Sequence, residues 1–198
     1  MKNALLVALA VFMLYSCGGT KATTAEKNDT GAYIAPDYQK KKYKKILVLA
    51  MLKQPEYRKR VEKALVDQLK ARNYNVVAST DLFTDEMLKD TLAIRKTAED
   101  AGVDAAILLT SLGTSSKTVE HAEYDGSFYG WYGFTFAIID VTSDIAKVNY
   151  LQMDFILKDK RGTQYRVAVP VNTSNNSEVA LQQFSLEARN RLITDKIL

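Results

Sequence analysis

From Ile46 to Leu52 the chain is apolar at every position. That is the pattern of a strand buried on both faces. Pro55 stands where a helix starts. Beyond it Tyr57, Val61, Ala64, Leu65 and Leu69 recur at helical spacing, with Arg58, Lys59, Glu62, Lys63 and Asp67 on the opposite, polar side. Tyr74 to Ala78 reads as a second, short strand. Thr84 or Asp85 starts a second helix, with Met87, Leu88, Leu92 and Ala98 on its buried face and Gly102 as its stop. Val103 to Leu112 is again nearly all apolar and reads as a third buried strand. Strands that alternate with helices imply right-handed crossovers and a mostly parallel sheet.

The second half changes character. Gly133 to Val141 alternates, with Phe134, Phe136 and Ile138 on one side and Thr135, Ala137 and Ile139 on the other. Thr142-Ser143-Asp144 is a turn, and Val148 to Leu157 is the next strand. A second turn at Asp159-Lys160-Arg161-Gly162 leads to Tyr165–Val169. Successive strands joined by short turns form an antiparallel meander. After the polar loop Asn172–Asn176, Val179, Leu181, Phe184, Ala188 and Leu192 mark the buried face of a last helix. The expected fold is α/β (α+β): β-α-β-α-β, then a meander and a carboxyl-terminal helix, with a mixed sheet flanked by helices.

The amino terminus follows a different pattern. Lys2 supplies a positive charge, and Ala4 to Leu14 is an unbroken apolar run. Its length suits the core of a secretion signal and falls short of a bilayer of roughly 30 Å. Leu14-Tyr15-Ser16-Cys17, followed by Gly18 and Gly19, resembles the lipobox read by lipoprotein signal peptidase. That resemblance implies cleavage after Ser16 and a diacylglyceryl thioether on Cys17, the single cysteine of the chain. A thiolate is the side chain suited to that bond. The plainer alternative is a buried free cysteine at the end of an uncleaved helix. Gly18 replaces the Asp that marks inner-membrane retention in enterobacterial lipoproteins, which implies a lipid-anchored protein of the outer membrane. The expected organisation is a signal at 1–16, a lipidated Cys17 with a flexible tether to residue 44, and one globular domain over 45–198.

Within the tether, Gly18–Asp29 has the composition of a disordered segment. Tyr33-Ile34-Ala35-Pro36 is apolar enough to dock on the domain. Lys40-Lys41-Lys42-Tyr43-Lys44-Lys45 reads as a solvated lead-in to the first strand. Its functional alternative is a patch for anionic lipid head groups, worth up to about 1 kcal/mol per lysine near an anionic surface. Without residues 1–16, which carry one Lys and no acid, the formal charge is +3. That is too small and too evenly spread for a nucleic-acid partner.

Three stretches carry a resemblance for the domain: Lys45-Ile46-Leu47-Val48-Leu49-Ala50, the segment Ala98 to Leu109 with Ala101-Gly102-Val103-Asp104 at its centre, and Ile139-Asp140-Val141-Thr142-Ser143-Asp144. They resemble small envelope lipoproteins whose domain is similar to the penicillin-binding-protein activators, the curli-secretion channel subunit and the amino-terminal domain of the Tol–Pal periplasmic protein. The resemblance covers residues 45–195 by order of elements. It implies the α/β fold above and a place in the cell envelope. Ser143-Asp144 and Tyr150 stand where those families carry a Thr-Gly and a Trp.

Candidate chemistry is sparse. His121, the single histidine, has Glu120, Glu123 and Asp125 nearby, but one imidazole with carboxylates lacks the spacing of a zinc site. No Gly-x-Ser-x-Gly elbow and no phosphate-cradling glycine loop is present. Neither catalytic residues, metal nor cofactor is expected. The segment Tyr124 to Phe134 holds the single Trp and five other aromatics, spaced by glycines. Such a segment binds a protein, a sugar ring or a membrane surface, with Tyr129, Trp131 and Tyr132 as the contact residues, or it packs over the sheet. The leading expectation is a non-enzymatic, lipid-anchored binding or assembly module of the envelope, with a protein or cell-wall partner. The alternatives are a subunit of an oligomeric envelope complex or secretion channel, and a carboxylate-dependent cell-wall hydrolase. Protein purified from membranes is expected to start at Cys17 and to carry diacylglyceryl and acyl mass. Intact mass spectrometry checks this, and the Cys17→Ser variant loses the added mass.

Overall fold

The computed structural model describes residues 31–52, 54–84, 86–113, 117, 149–171 and 177–198. Among them, six strands form one mixed sheet: β1 Tyr33–Ile34, β2 Ile46–Met51, β3 Val76–Ala78, β4 Ala105–Ser111, β5 Tyr150–Leu157 and β6 Thr163–Pro170. Four α-helices accompany them: α1 Pro55–Lys70, α2 Ser79–Leu82, α3 Thr91–Asp100 and α4 Ser177–Thr194. The strand order is β1-β6-β5-β4-β2-β3. β2 pairs in parallel with both β3 and β4, while β4, β5, β6 and β1 pair antiparallel in turn. The expected α/β fold with a mixed sheet is thus what the chain adopts. The strand expected at 133–141, with its turn, lies outside the described residues.

The layering follows from connectivity. β3 and β4 flank β2 on opposite sides, and right-handed crossovers then force α1 and α3 onto opposite faces. On one face Val61, Leu65, Val66 and Leu69 of α1, with Phe184, Ala188 and Leu192 of α4, pack against Ile46, Val48, Ile107, Met153 and Val167. On the other, Ile94 and Ala98 of α3, with Phe83 and Leu88, cover Leu47, Leu49, Ala106 and Leu108. Every residue of β2 is buried. Gly102 closes α3 with a positive φ of 73°, and Val103 N–H reaches back to the Ala98 carbonyl. Tyr33-Ile34 docks as expected: Tyr33 pairs with Arg166, Ile34 with Tyr165, and Ala35 N–H donates to the Gln164 carbonyl. The packed body therefore begins before Lys45, with Ala32 fully buried.

Three expectations need correction. The second helix does not start at Thr84 or Asp85. Met87–Lys89 is a separate 3-10 turn, and Asp90, in an extended conformation, caps α3 by accepting from Leu92 N–H and Ala93 N–H. This later start rotates the helix, so that Ile94 is buried and Leu92 stands 74% exposed. On α4, Val179 is also exposed, at 42%, while Ala180, Leu181 and Phe184 form the inner face. On α1, Glu62 belongs to the interior and not to the polar side: it is 0% exposed. Replacing Ile94 with Ala is expected to cost about 2–5 kcal/mol. The Leu92→Ala variant is expected to stay within about 0.5 kcal/mol of the parent. Urea unfolding of the two variants measures the contrast.

Candidate functional site

The parallel strands give the domain two chemically distinct ends. At their amino ends, the lysine run turns from β1 into β2 and lines a cleft of about 610 Å³. Lys40, Lys41, Lys42 and Lys44 stand on its rim, Tyr43, Ile46 and Tyr74 on its wall, and Asn73, Asn75 and Leu198 complete it. Among the described residues no Asp or Glu lines it.

The lysine segment is held in place from several directions. Asp104, at the start of β4, accepts from the backbone N–H of Lys44 and Lys45 at 3.0–3.2 Å. Asn75 Nδ2 donates to the Lys44 carbonyl at 2.6 Å. The Tyr38 and Tyr43 hydroxyls lie 2.8 Å apart, and Tyr38 also donates to the Ile197 carbonyl. The Tyr43 ring meets Phe155 edge to face with centroids 5.2 Å apart. Burial pushes both tyrosine hydroxyls above their ordinary range, so both stay protonated and donate. Lys41 pairs with Asp159 at 2.8 Å, which holds that carboxyl below its usual value, and Lys40 donates to an oxygen of Leu198, the last residue of the sequence.

At the carboxyl ends of the parallel strands, Glu62 reaches from α1 into the interior. It accepts from Ser79 Oγ at 2.6 Å, from Ala50 N–H at 2.9 Å and from Thr80 N–H at 3.0 Å. Burial raises its pKa, and the three donors pull the other way without cancelling the rise. A second buried charge sits on the meander, where Asp154 and Arg166 are opposite one another in register. Arg166 Nε donates to Asp154 at 2.6 Å, Gln152 donates to the same carboxylate at 2.8 Å, and Arg166 Nη2 reaches Thr163 Oγ1. Both carboxylates are engaged by neighbouring donors. Among the described residues no group of three His, Cys, Asp or Glu side chains could hold a metal ion. No described helix is long and apolar enough to cross a membrane.

Cys17, Tyr129, Trp131, Tyr132 and the His121 cluster all lie outside the described residues. The roots of the aromatic segment are described, and they meet at one point. Asn149 N–H and Tyr150 N–H both donate to the Gly113 carbonyl, and Leu112 N–H donates to the Tyr150 carbonyl. The segment thus leaves and rejoins the sheet at the carboxyl end of β4. The lysine cleft sits at the other end of that seven-residue strand, roughly 20 Å away. Sequence reasoning found the lysines but not their setting, because Asn75, Asp104 and Leu198 come from distant parts of the chain.

No family model and no curated protein matches this sequence. Among solved structures, the PelC dodecamer from Paraburkholderia phytofirmans is similar at a TM-score of 0.44 and 9% identity, over 81% of this chain and 94% of that one. A single-substitution variant of the same dodecamer gives a TM-score of 0.44 and 8% identity, over 81% of this chain and 97% of that one. No residue role is transferred across that distance.

Glu62→Gln replaces an acceptor oxygen with an amide that faces donors, and is expected to cost about 1–3 kcal/mol. The sign of the pH effect follows from the raised pKa. The folded state holds the Glu62 proton to higher pH than the unfolded chain, so this group's contribution is most favourable below about 4.5 and declines as pH rises through the raised value. Unfolding free energies of parent and variant between pH 4 and 8 are expected to converge as pH rises.

Proposed function

We propose that this protein is a lipid-anchored module of the bacterial outer membrane that binds or assembles other envelope components without catalysis. The lipobox-like Leu14–Cys17 supports the anchor. The observation that carries the reading is the placement of the two ends of the domain. A rigid body starting at Ala32 presents lysines at one end and roots the aromatic segment at the other. Only thirteen residues separate Cys17 from Gly31, a length that spans roughly 20 Å by the random-coil relation. The domain is therefore held close to the bilayer yet free to orient. Three acyl chains on Cys17 anchor it firmly, since more than one lipid signal is needed for stable attachment. Tyr129, Trp131 and Tyr132 are the contact residues for the partner, offering large rigid area at low entropy cost.

A second reading, a subunit of an oligomeric envelope complex, is favoured by α4. Val179, Leu186 and Ile193 are exposed apolar side chains spaced seven residues apart, so they share one outward face of the helix. A helix that is apolar on both faces has use for a neighbour on each.

A photoactivatable crosslinker placed at position 131, and separately at 186, in cells making the full chain separates the readings. The first is expected to give a discrete adduct with a different protein or with cell-wall material through position 131. A self-adduct through position 186, with none at 131, supports the subunit reading. No adduct at either position removes both.

A further inference from the structure

We propose that the lysine cleft at the amino ends of β2 and β3 is a binding site for a phosphate group carried on a small polar body, such as a phosphate ester. This goes beyond the anchoring role proposed above and does not depend on the aromatic segment.

Four observations carry it. The first is charge. Four lysines border one cleft, and no described Asp or Glu side chain lines it. Lys41 is paired with Asp159, and Lys40 with an oxygen of Leu198, the last residue of the sequence. Among the described residues Lys42 and Lys44 have no carboxylate partner, and both are exposed. Like charges this close repel one another, and a bound anion relieves that repulsion. The second is order. A solvated lead-in has no need of fixed geometry, yet Asp104, Asn75 and the Tyr38–Tyr43 pair lock the backbone on which the lysines stand. Only the side chains are left to be ordered, so little entropy is lost on binding. The third is size. A cleft of about 610 Å³ falls within the range for small ligands and exceeds the needs of a bare ion. The fourth is the wall. Tyr43, Tyr74 and Ile46 give an apolar floor beside the charged rim, which suits a carbon body next to an anionic group. An ammonium acts on phosphate as a point charge, so the site favours a phosphate ester of varied shape over a planar carboxylate that a guanidinium would fork.

Two sources share this chemistry, a lipid head group and a soluble phosphate ester. The full chain, purified in a non-ionic detergent, is titrated calorimetrically with inorganic phosphate, glycerol phosphate and short-chain phosphatidylglycerol at low and high salt. Saturable binding of at least one probe is expected, weakening with salt and falling about tenfold or more in the Lys42→Gln/Lys44→Gln variant. A control variant, Lys59→Gln/Lys63→Gln, changes the same charge on the exposed side of α1 and is expected to bind as the parent does. Preference for the short-chain lipid assigns the site to a head group, and equal binding of glycerol phosphate assigns it to a soluble ester. Either outcome upholds the proposal. It is overturned by the absence of saturable binding of all three probes, by binding of inorganic phosphate alone, or by an equal loss in the control. Because the readout is binding to the purified protein, failure here leaves the partner reading untouched, and failure of the crosslinking leaves this one untouched.

Discussion

β2 is buried along its whole length on both faces, and that single condition organises the domain. A strand with no solvated face needs a layer on each side of it. The chain supplies those layers through crossovers of fixed hand, which send α1 to one face and α3 to the other. Once β2 is sandwiched in this way, β4 is the next strand in line. β4 also has buried side chains on both faces, and beyond it the sheet switches to antiparallel pairing. Beyond β4, α4 joins α1 in covering the apolar face of β5 and β6.

The switch in pairing coincides with a switch in chemistry. Facing α3, the parallel strands present Leu47, Leu49 and Leu108. One strand further on, in the same transverse row, Leu108 gives way to Asp154 and then to Arg166. A buried ion pair is a weak source of net stability, because desolvation consumes most of the attraction. It does fix pairing, since a slip of one residue would place Arg166 opposite an apolar neighbour and leave Asp154 uncompensated. Glu62 works in the same way at the carboxyl ends of β2 and β3. Its three donors come from the end of β2 and from α2, which follows β3 directly, and they tie both strand ends to α1.

Much of this was legible in the chain. Continuous apolar runs gave β2 and β4, Pro55 and Gly102 marked helix ends, and the short polar stretch at Asp159–Gly162 gave the β5–β6 turn. These signals are local, and the physics behind them is local too. What escaped was set by contacts between distant residues. Glu62 has the spacing of a surface residue, and only Ser79, seventeen positions away, together with the Ala50 and Thr80 amides makes its burial tolerable. Leu92 was misplaced because Asp90 resets the helical phase. The lysines read as lead-in because nothing near them in sequence announces Asp104, Asn75 or Leu198. The residues singled out for the leading reading, Cys17, Tyr129, Trp131 and Tyr132, all fall outside the described part of the chain, so the cleft seen in the structure meets the sequence reading only at the lysine run.

The stitch between Gly113 and Asn149-Tyr150 has a consequence for how such a domain can change. The excursion between these residues begins and ends on adjacent rungs of an antiparallel ladder. Closing a loop of that length costs roughly 3 kcal/mol before the constant term, and doubling its length adds only about 0.6. The cost of closure is therefore nearly indifferent to the length of what is grafted at this point. Insertions and deletions between these two rungs carry little entropic cost, so one framework could carry recognition surfaces of many lengths in a lineage or in a designed library.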